Sequence, residues 1–273
     1  MRRSYMLVAL ALLVLGGYVT WSYLFPSSNI ARKPVAPKEF ELAGGPEKEE
    51  RGFPQREIID LASEYPKVFY RQGSIKEAKV ALSFDDGPDN NYTVKMLDIL
   101  KKHNVPATFF VIGKRCELYP EVIDRMVKEG HLIGNHTWSH PNIVKLSNSK
   151  VIEEVTATDK VIKSRAGYSP LLFRSPYGSI DRQKVELLRD RGYKITAWNV
   201  DSLDWKGLSA AEVKTNILEN MTQGSIILQH SAGGIGEDLS GSVEALDDII
   251  RVLKKDGYQF VTVDKLLGIK GKK

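Results

Sequence analysis

Cysteine is almost absent from this 273-residue chain: Cys116 is the only one, so no internal disulfide can form and multi-cysteine zinc sites are excluded. Histidine is scarce as well. His103, His131, His136, His140 and His230 are the whole supply for any imidazole chemistry. No Lys/Arg-rich patch is interleaved with aromatics, which leaves nucleic-acid binding little support. No glycine-rich phosphate loop opens a helix, which counts against a phosphohydrolase. Charge of one sign is also slight. The formal net charge is +5, and Arg2, Arg3 and the tail Lys270-Gly271-Lys272-Lys273 supply part of it, so an ordinary solvated surface accounts for the balance. With 42% of residues hydrophobic, the chain has enough apolar material for one large core but not for two full domains once the N-terminus is set aside.

What is present begins with an apolar run. Met6 to Phe25 contains no charge, and Arg2 and Arg3 precede it. That length spans a bilayer, and the arginines predict that the N-terminus stays inside. The rival is a cleaved signal peptide, but Gly16-Gly17-Tyr18-Val19-Thr20-Trp21 offers no clean small-x-small site, and no cysteine is placed for a lipid anchor. The expectation is a single-pass anchor over 1–25 with the rest of the chain outside the cytoplasm. Pro26 to Pro54 carries five of the twelve prolines, with no sustained apolar period, and reads as a spacer. Arg56 to Tyr70 reads as a short helix and an approach segment, so that 26–77 leads to a catalytic domain over 78–268 and a basic tail over 269–273.

From Val80 an alternation sets in. Strand-like stretches cover 80–84, 107–112, 131–134, 170–173, 193–199, 224–229 and 258–263. Helix-like stretches cover 91–102, 120–129, 148–165, 181–191, 210–221 and 242–256. Three helices end alike, in Lys128-Glu129-Gly130-His131, Asp190-Arg191-Gly192-Tyr193 and Lys255-Asp256-Gly257-Tyr258. In each, a glycine follows a charged last turn, where a left-handed C-cap belongs, and a strand follows the glycine. Ser209 and Glu212 have the spacing of a capping box. About seven strands alternating with six helices predict a parallel α/β architecture, a distorted (β/α) barrel whose strand ends converge on one rim.

Chemistry-bearing residues follow five of the first six strands. Asp85 and Asp86 come after the first, and Asn135-His136-Thr137-Trp138-Ser139-His140 after the third. Arg174-Ser175-Pro176-Tyr177-Gly178 follows the fourth and Asp201-Ser202-Leu203-Asp204-Trp205 the fifth; Leu228-Gln229-His230 ends the sixth. Asp-Asp-Gly-Pro alone reads equally well as a solvated turn. In a helical turn, the His136–His140 spacing puts both imidazoles on one face, where they can share a metal, with one of the two aspartates as third ligand and open positions left for water and substrate. The other aspartate is then free to act as a general base. His230 sits alone at another strand end and can serve as the general acid. Asp201 or Asp204 would orient it and favour its protonated form. Arg174 is placed to keep the base ionised, and a backbone N–H of the Pro-Tyr-Gly turn can stabilise an oxyanion. Trp205, Trp138 and Tyr177 can line a groove for sugar rings, or simply pack. His103 reads as solvated and His131 as structural.

Taken in order, Ser-Phe-Asp-Asp-Gly, His-Thr-Trp-Ser-His, Arg-Ser-Pro-Tyr, Asp-Ser-Leu-Asp-Trp and Leu-Gln-His resemble the five motifs of the polysaccharide deacetylases, carbohydrate esterase family 4, with its NodB-like domain. The resemblance covers about 78–268 and is closest to bacterial peptidoglycan N-acetylglucosamine deacetylases. It implies a distorted (β/α) barrel, a divalent metal, usually zinc, and removal of acetyl groups from N-acetylated sugars of a polymer. It also implies roles. Asp85 would be the base and Asp86 a metal ligand with His136 and His140. Arg174 would tune Asp85, Asp204 would pair with the acid His230, the Tyr177 N–H would hold the oxyanion, and Leu228 would border the acetyl-methyl pocket. Ser83 stands where threonine is common, and Gln229 occupies a variable position; neither removes a reacting group. A site of two histidines and one aspartate also accepts cobalt or nickel. The expected activity is acetate release from N-acetylglucosamine units of peptidoglycan by a monomeric catalytic domain. The alternatives are a chitooligosaccharide deacetylase, an O-acetyl-xylan esterase, or an inactive, membrane-anchored glycan-binding protein.

Overall fold

A computed structural model describes residues 40–43, 45 and 55–273, all within one compact unit, Pro37–Lys273. The apolar run at Met6–Phe25 lies outside the described residues. Among the described residues no helix is long and apolar enough to cross a membrane.

Nine strands form the sheet: β1 (Phe69–Tyr70), β2 (Lys79–Asp85), β3 (Thr108–Val111), β4 (Leu132–Asn135), β5 (Leu172–Phe173), β6 (Lys194–Thr196), β7 (Val200–Asp201), β8 (Ile226–His230) and β9 (Gln259–Phe260). Eight of them lie in one path, β1-β6-β5-β4-β3-β2-β8-β7, and β9 pairs with the start of β2. Every named pairing is parallel. β6 and β7 are successive pieces of one run, yet β6 pairs with β5 and β7 pairs with β8, near opposite ends of the path. Thr196 and Val200 are four residues apart, at most about 14 Å of extended chain. The sheet must therefore curl until its two ends approach, which makes an incomplete barrel. The expected count of seven strands falls short because β1 and β7 are two residues each, too short for any periodic signal, and β7 begins just past the 193–199 stretch.

The helices largely follow expectation: α1 (Gln55–Glu64), α2 (Tyr92–His103), α3 (Gly113–Leu118), α4 (Pro120–Lys128), α5 (Asn148–Ala166), α6 (Arg182–Arg189), α7 (Ala210–Leu218), α8 (Ser240–Lys255) and α9 (Val263–Leu267). The sequence reading missed α3 and α9, each under two turns long. Gly130, Gly192 and Gly257 take the left-handed conformation that a C-cap needs, at φ 83°, 84° and 83°. Ser209 and Glu212 form the expected capping box.

The period-2 alternation of β2 decides where the chemistry sits. Val80, Leu82 and Phe84 pack outward among Met96, Leu97 and Leu100 of α2 and Ile249 and Ile250 of α8. Ala81 faces the other way, among Phe110, Leu172, Ile226 and Leu228. Ser83 and Asp85 share that inner face by strand geometry. Small residues there leave room for Phe110 and Arg174, and Asp85 is carried into the barrel mouth.

Candidate active site

Each predicted site residue lies at or just past the C-terminal end of a strand. Asp85 ends β2 and His230 ends β8, and the two are register partners. Asn135 ends β4 and delivers His136; Phe173 ends β5 and delivers Arg174; β7 ends at Asp201, three residues before Asp204.

The first constellation is a cation cradle. Asp86 has φ +69°, a left-handed conformation that turns its side chain away from the direction of Asp85. Its Oδ1 lies 3.3 Å from His136 Nε2 and 3.1 Å from His140 Nε2. All three residues are buried, and their ligand atoms lie within 4.8 Å of one another. The His136 ring is oriented from behind, because its Nδ1 faces the Arg174 carbonyl at 2.8 Å and can only donate to it. In the neutral ring the Nε2 lone pair therefore faces the Asp86 carboxylate, an arrangement that a proton or a metal cation between the two atoms satisfies. Asp86 Oδ1 itself meets no hydrogen-bond geometry. Around a tetrahedral ion with bonds of ~2.1 Å, ligand atoms sit about 3.4 Å apart, close to the observed spacings. The donor set thus fits a zinc-type divalent cation. Burial alone would raise the Asp86 carboxyl, but the facing His140 and His136 rings outweigh it and hold the carboxyl well below the usual carboxylate range. Burial disfavours a charged His136, yet the Asp85 and Asp86 carboxylates outweigh it and raise its pKa. Both directions mark a site that stabilises positive charge.

The route to this convergence is not the one expected. Residues 136–140 form a loop rather than a helical turn. Thr137 and His140 both adopt positive φ, 71° and 61°. The Thr137 N–H donates to Asn135 Oδ1, and the His140 N–H to Thr137 Oγ1. Short polar side chains thus fold the segment back on itself, and the two rings meet at a centroid distance of 4.9 Å. Glu154 of α5 finishes the loop by accepting from the N–H groups of Trp138 and Ser139 and from the Ser139 hydroxyl. The sequence reading missed Glu154. Its signal was a carboxylate in phase with the buried positions Val151, Val155 and Thr158 of an amphipathic helix. Replacing Glu154 with alanine frees three donors in the loop that carries both histidines and is expected to weaken divalent-cation binding by about 10-fold, the low end of what lost support of metal ligands costs. A competition titration with a chromophoric chelator measures this, and unchanged affinity would contradict it.

The second constellation is Asp85 with Arg174. Arg174 Nη1 donates to Asp85 Oδ1 at 2.8 Å. Its Nε and Nη2 donate to the carbonyls of Thr196 and Ala197, and its guanidinium lies 4.2 Å from the Phe110 ring. The group is fully buried, and these bonds hold it in one place. The other carboxylate oxygen, Oδ2, stands 3.9 Å from His136 Nε2 and so faces the cradle.

The third is His230 with Asp204. His230 Nδ1 lies 2.7 Å from Asp204 Oδ1, and the His230 N–H donates to Oδ2 at 2.8 Å. Ser242 of α8 also donates to Oδ2. A carboxylate can only accept, so the Nδ1–H tautomer is fixed and Nε2 is the atom left for chemistry. Asp204, not Asp201, is the partner, because Asp201 accepts from the Leu203 N–H and from Trp198 Nε1. Burial would raise the Asp204 carboxyl, but His230 and Ser242 outweigh it and lower its pKa. A carboxyl lowered on folding stabilises the protein above its ordinary pKa of about 4, and that contribution is lost as pH falls through the lowered folded value. Metal-free Asp204→Asn should therefore be less stable than wild type at pH 7 and lose less of its stability on acidification towards pH 3 in thermal melts. An identical pH dependence of the two proteins would contradict this.

The remaining predicted residues distribute as follows. Tyr177 sits in a one-turn 3₁₀ segment at φ +61°, a constrained backbone. Its ring packs edge-on to His140 with centroids 4.5 Å apart. Leu228 is buried on β8, and Trp205 is half-buried beside Asp204. Trp138 packs against α3, where a Cβ added at Gly113 would lie 2.3 Å from its ring. His103 is not solvated as expected; it is half-buried and paired with Asp247 at 2.8 Å. His131 is structural: its Nδ1 accepts from the Ala107 N–H, and burial pushes its pKa down to about 4.

A cation cradle flanked by a fixed carboxylate and a tautomer-locked imidazole, all at the mouth of a parallel barrel, defines the class as an α/β-barrel hydrolase. Known proteins narrow this. The family profile described as polysaccharide deacetylase matches residues 72–196. A peptidoglycan-N-acetylglucosamine deacetylase of Bacillus cereus is 45% identical over 194 residues, covering 71% of this chain and 70% of that protein. A peptidoglycan-N-acetylmuramic acid deacetylase of Bacillus subtilis is 36% identical over 80% of this chain, which spans only 43% of that protein. A crystal structure of a peptidoglycan N-acetylglucosamine deacetylase in complex with a benzamide ligand is 42% identical, with a TM-score of 0.74, covering 77% of this chain and 98% of its own. The chain belongs to the polysaccharide deacetylase family.

Proposed function

We propose that this protein is a zinc-dependent hydrolase that removes N-acetyl groups from N-acetylglucosamine units of peptidoglycan and releases acetate. The observation that supports this best is the placement of Asp85 and His230 as register partners beside the Asp86–His136–His140 cradle. Asp86, His136 and His140 would hold a divalent cation, which when bound would polarise the acetamide carbonyl and acidify water. Asp85, fixed by its bond from Arg174, takes the proton of the attacking water through Oδ2. The Tyr177 N–H donates to the developing oxyanion. His230 Nε2 gives a proton to the departing amine, while Asp204 holds the opposite ring nitrogen. Leu228 borders the acetyl methyl, and Trp205 supports the sugar. The products are acetate and a glucosamine unit whose amine is cationic.

In the same proposal, residues 78–268 are the catalytic domain and act as a monomer. Met6–Phe25 anchors the chain in the cell membrane, and 26–77 places the barrel outside, where wall glycan is met. Cobalt or nickel can replace zinc in a donor set of this kind. The N-acetylmuramic acid deacetylase among the relatives makes that sugar the second reading. Full-length protein supplied with zinc is expected to release acetate from N-acetylglucosamine oligomers and from purified wall, but not from acetylated xylan, and mass spectrometry of the digested wall identifies the deacetylated sugar. No acetate from either amide substrate would sink the proposal. Free amine on muramic acid alone would favour the second reading.

A further inference from the structure

Phe40–Gly45 falls within the stretch read as a spacer, yet its contacts are with the rim of the site. The Ala43 N–H donates to the carbonyl of Ser139, between the two cradle histidines, at 2.9 Å. The Tyr177 hydroxyl donates to the Gly45 carbonyl at 2.8 Å. Leu42 is buried, and its side chain lies 3.4 Å from where a Cβ at Gly234 would stand. Gly234 belongs to the loop that begins at Ser231, directly after His230, and its N–H donates to Glu237 Oε2 at 2.8 Å. Between this strap and that loop is a cavity of about 160 Å³ lined by Glu41, Leu42, Gly45, Gly234, Ile235 and Glu237. Arg115 of α3 joins the two walls. Its guanidinium lies 4.2 Å from the Phe40 ring on one side and donates to the Gly233 carbonyl on the other. Only 3% of this arginine is exposed. A buried charge held between the two walls fixes their spacing.

We infer that this cavity is a subsite for a sugar unit adjoining the one that is deacetylated, so that the N-terminal spacer supplies one wall of the glycan groove. The inference rests on the glycan-deacetylase reading above. Its lining has the mixed character that holds a sugar: Leu42 and the exposed Ile235 offer apolar surface to the C–H face of a ring, and the carboxylates of Glu41 and Glu237 can take hydroxyl or amine donors. Its volume suits one ring rather than a chain. The strap is bonded to Tyr177 and Ser139 and the loop runs from His230, so both walls of the cavity are tied to the catalytic rim. Arg115 is a positioning residue here.

The test uses full-length Glu41→Gln and Ile235→Ser, neither of which touches the catalytic groups, with zinc present and melting temperatures checked. The subsite predicts a rise in KM of about fivefold for the N-acetylglucosamine hexamer, the size of about 1 kcal/mol of lost contact, with kcat and all constants for the N-acetylglucosamine monomer unchanged. Equal changes for monomer and hexamer, or none for either, overturn it. Calorimetric titration of the hexamer into Asp85→Asn protein reads the same contacts without turnover. Weakened hexamer binding in Asp85→Asn carrying Glu41→Gln or Ile235→Ser supports the subsite even where wild-type protein releases no acetate, and unweakened binding overturns it.

Discussion

Asp86→Ala is expected to leave a folded chain that retains no divalent cation and releases no acetate. Among the described residues, Asp86 supplies the only carboxylate oxygen within ion-pair reach of both cradle imidazoles, at 3.3 and 3.1 Å. Two histidines alone leave a cation with too few protein ligands for a catalytic site of this type. Water at the site would then no longer be acidified by a cation, which removes the nucleophile at neutral pH. Stability reports the same loss. A ligand present at a hundredfold excess over its Kd stabilises the folded state by about 2.7 kcal/mol. Wild-type protein should show a corresponding zinc-dependent rise in melting temperature, and Asp86→Ala should show none. A zinc-induced rise in the variant equal to that of wild type would place the cation elsewhere.

Asp85→Asn carries the second large effect and separates the two adjacent aspartates. The amide keeps the shape of the carboxylate, and its oxygen can still accept from Arg174 Nη1, now 2.8 Å from Asp85. Arg174 also keeps its bonds to the Thr196 and Ala197 carbonyls. Loss of the negative charge leaves a buried guanidinium without its counter-charge, a change that costs up to about 3–5 kcal/mol when a buried pair is broken outright. The cradle loses no ligand. The expected outcome is a protein that binds zinc normally, melts somewhat lower, and has kcat reduced by about 10²–10⁴-fold, the usual contribution of a positioned general base. Undiminished turnover would assign the proton transfer to another group.

Most of the fold was legible because its strands are buried on both faces and bounded by glycine. Val80–Leu82 and Ile226–Leu228 are continuous apolar runs, each followed by a polar residue. The three Gly-capped helix ends fell where the sequence put them. Short pairings left no trace: Phe69–Tyr70 and Val200–Asp201 become strands only because a neighbour supplies the hydrogen bonds. The site was legible as a set of residue types at strand ends, and less so as geometry. His136 and His140 converge, but through a loop with two left-handed residues, since side-chain bonds from Asn135 and Thr137 decided the local conformation. Partners that act from a distant helix were out of reach. Glu154, Ser242 and Arg115 look like ordinary surface residues until the fold brings them under the loops they fix. The adjacency of Asp85 and Asp86 was readable at once, but their division of labour depends on the strand's period. Asp85 follows the inner face of β2 to Arg174, while Asp86, one residue past the strand and at positive φ, turns to the imidazoles.

The central claim is that Asp86, His136 and His140 hold one divalent cation beside a free Asp85. Zinc bound per chain, measured by elemental analysis after dialysis of wild-type, Asp86→Ala and Asp85→Asn proteins, tests it most directly. The predicted result is one ion in wild type, none in Asp86→Ala and one in Asp85→Asn. Wild-type protein without zinc, or Asp86→Ala with a full complement, would contradict it.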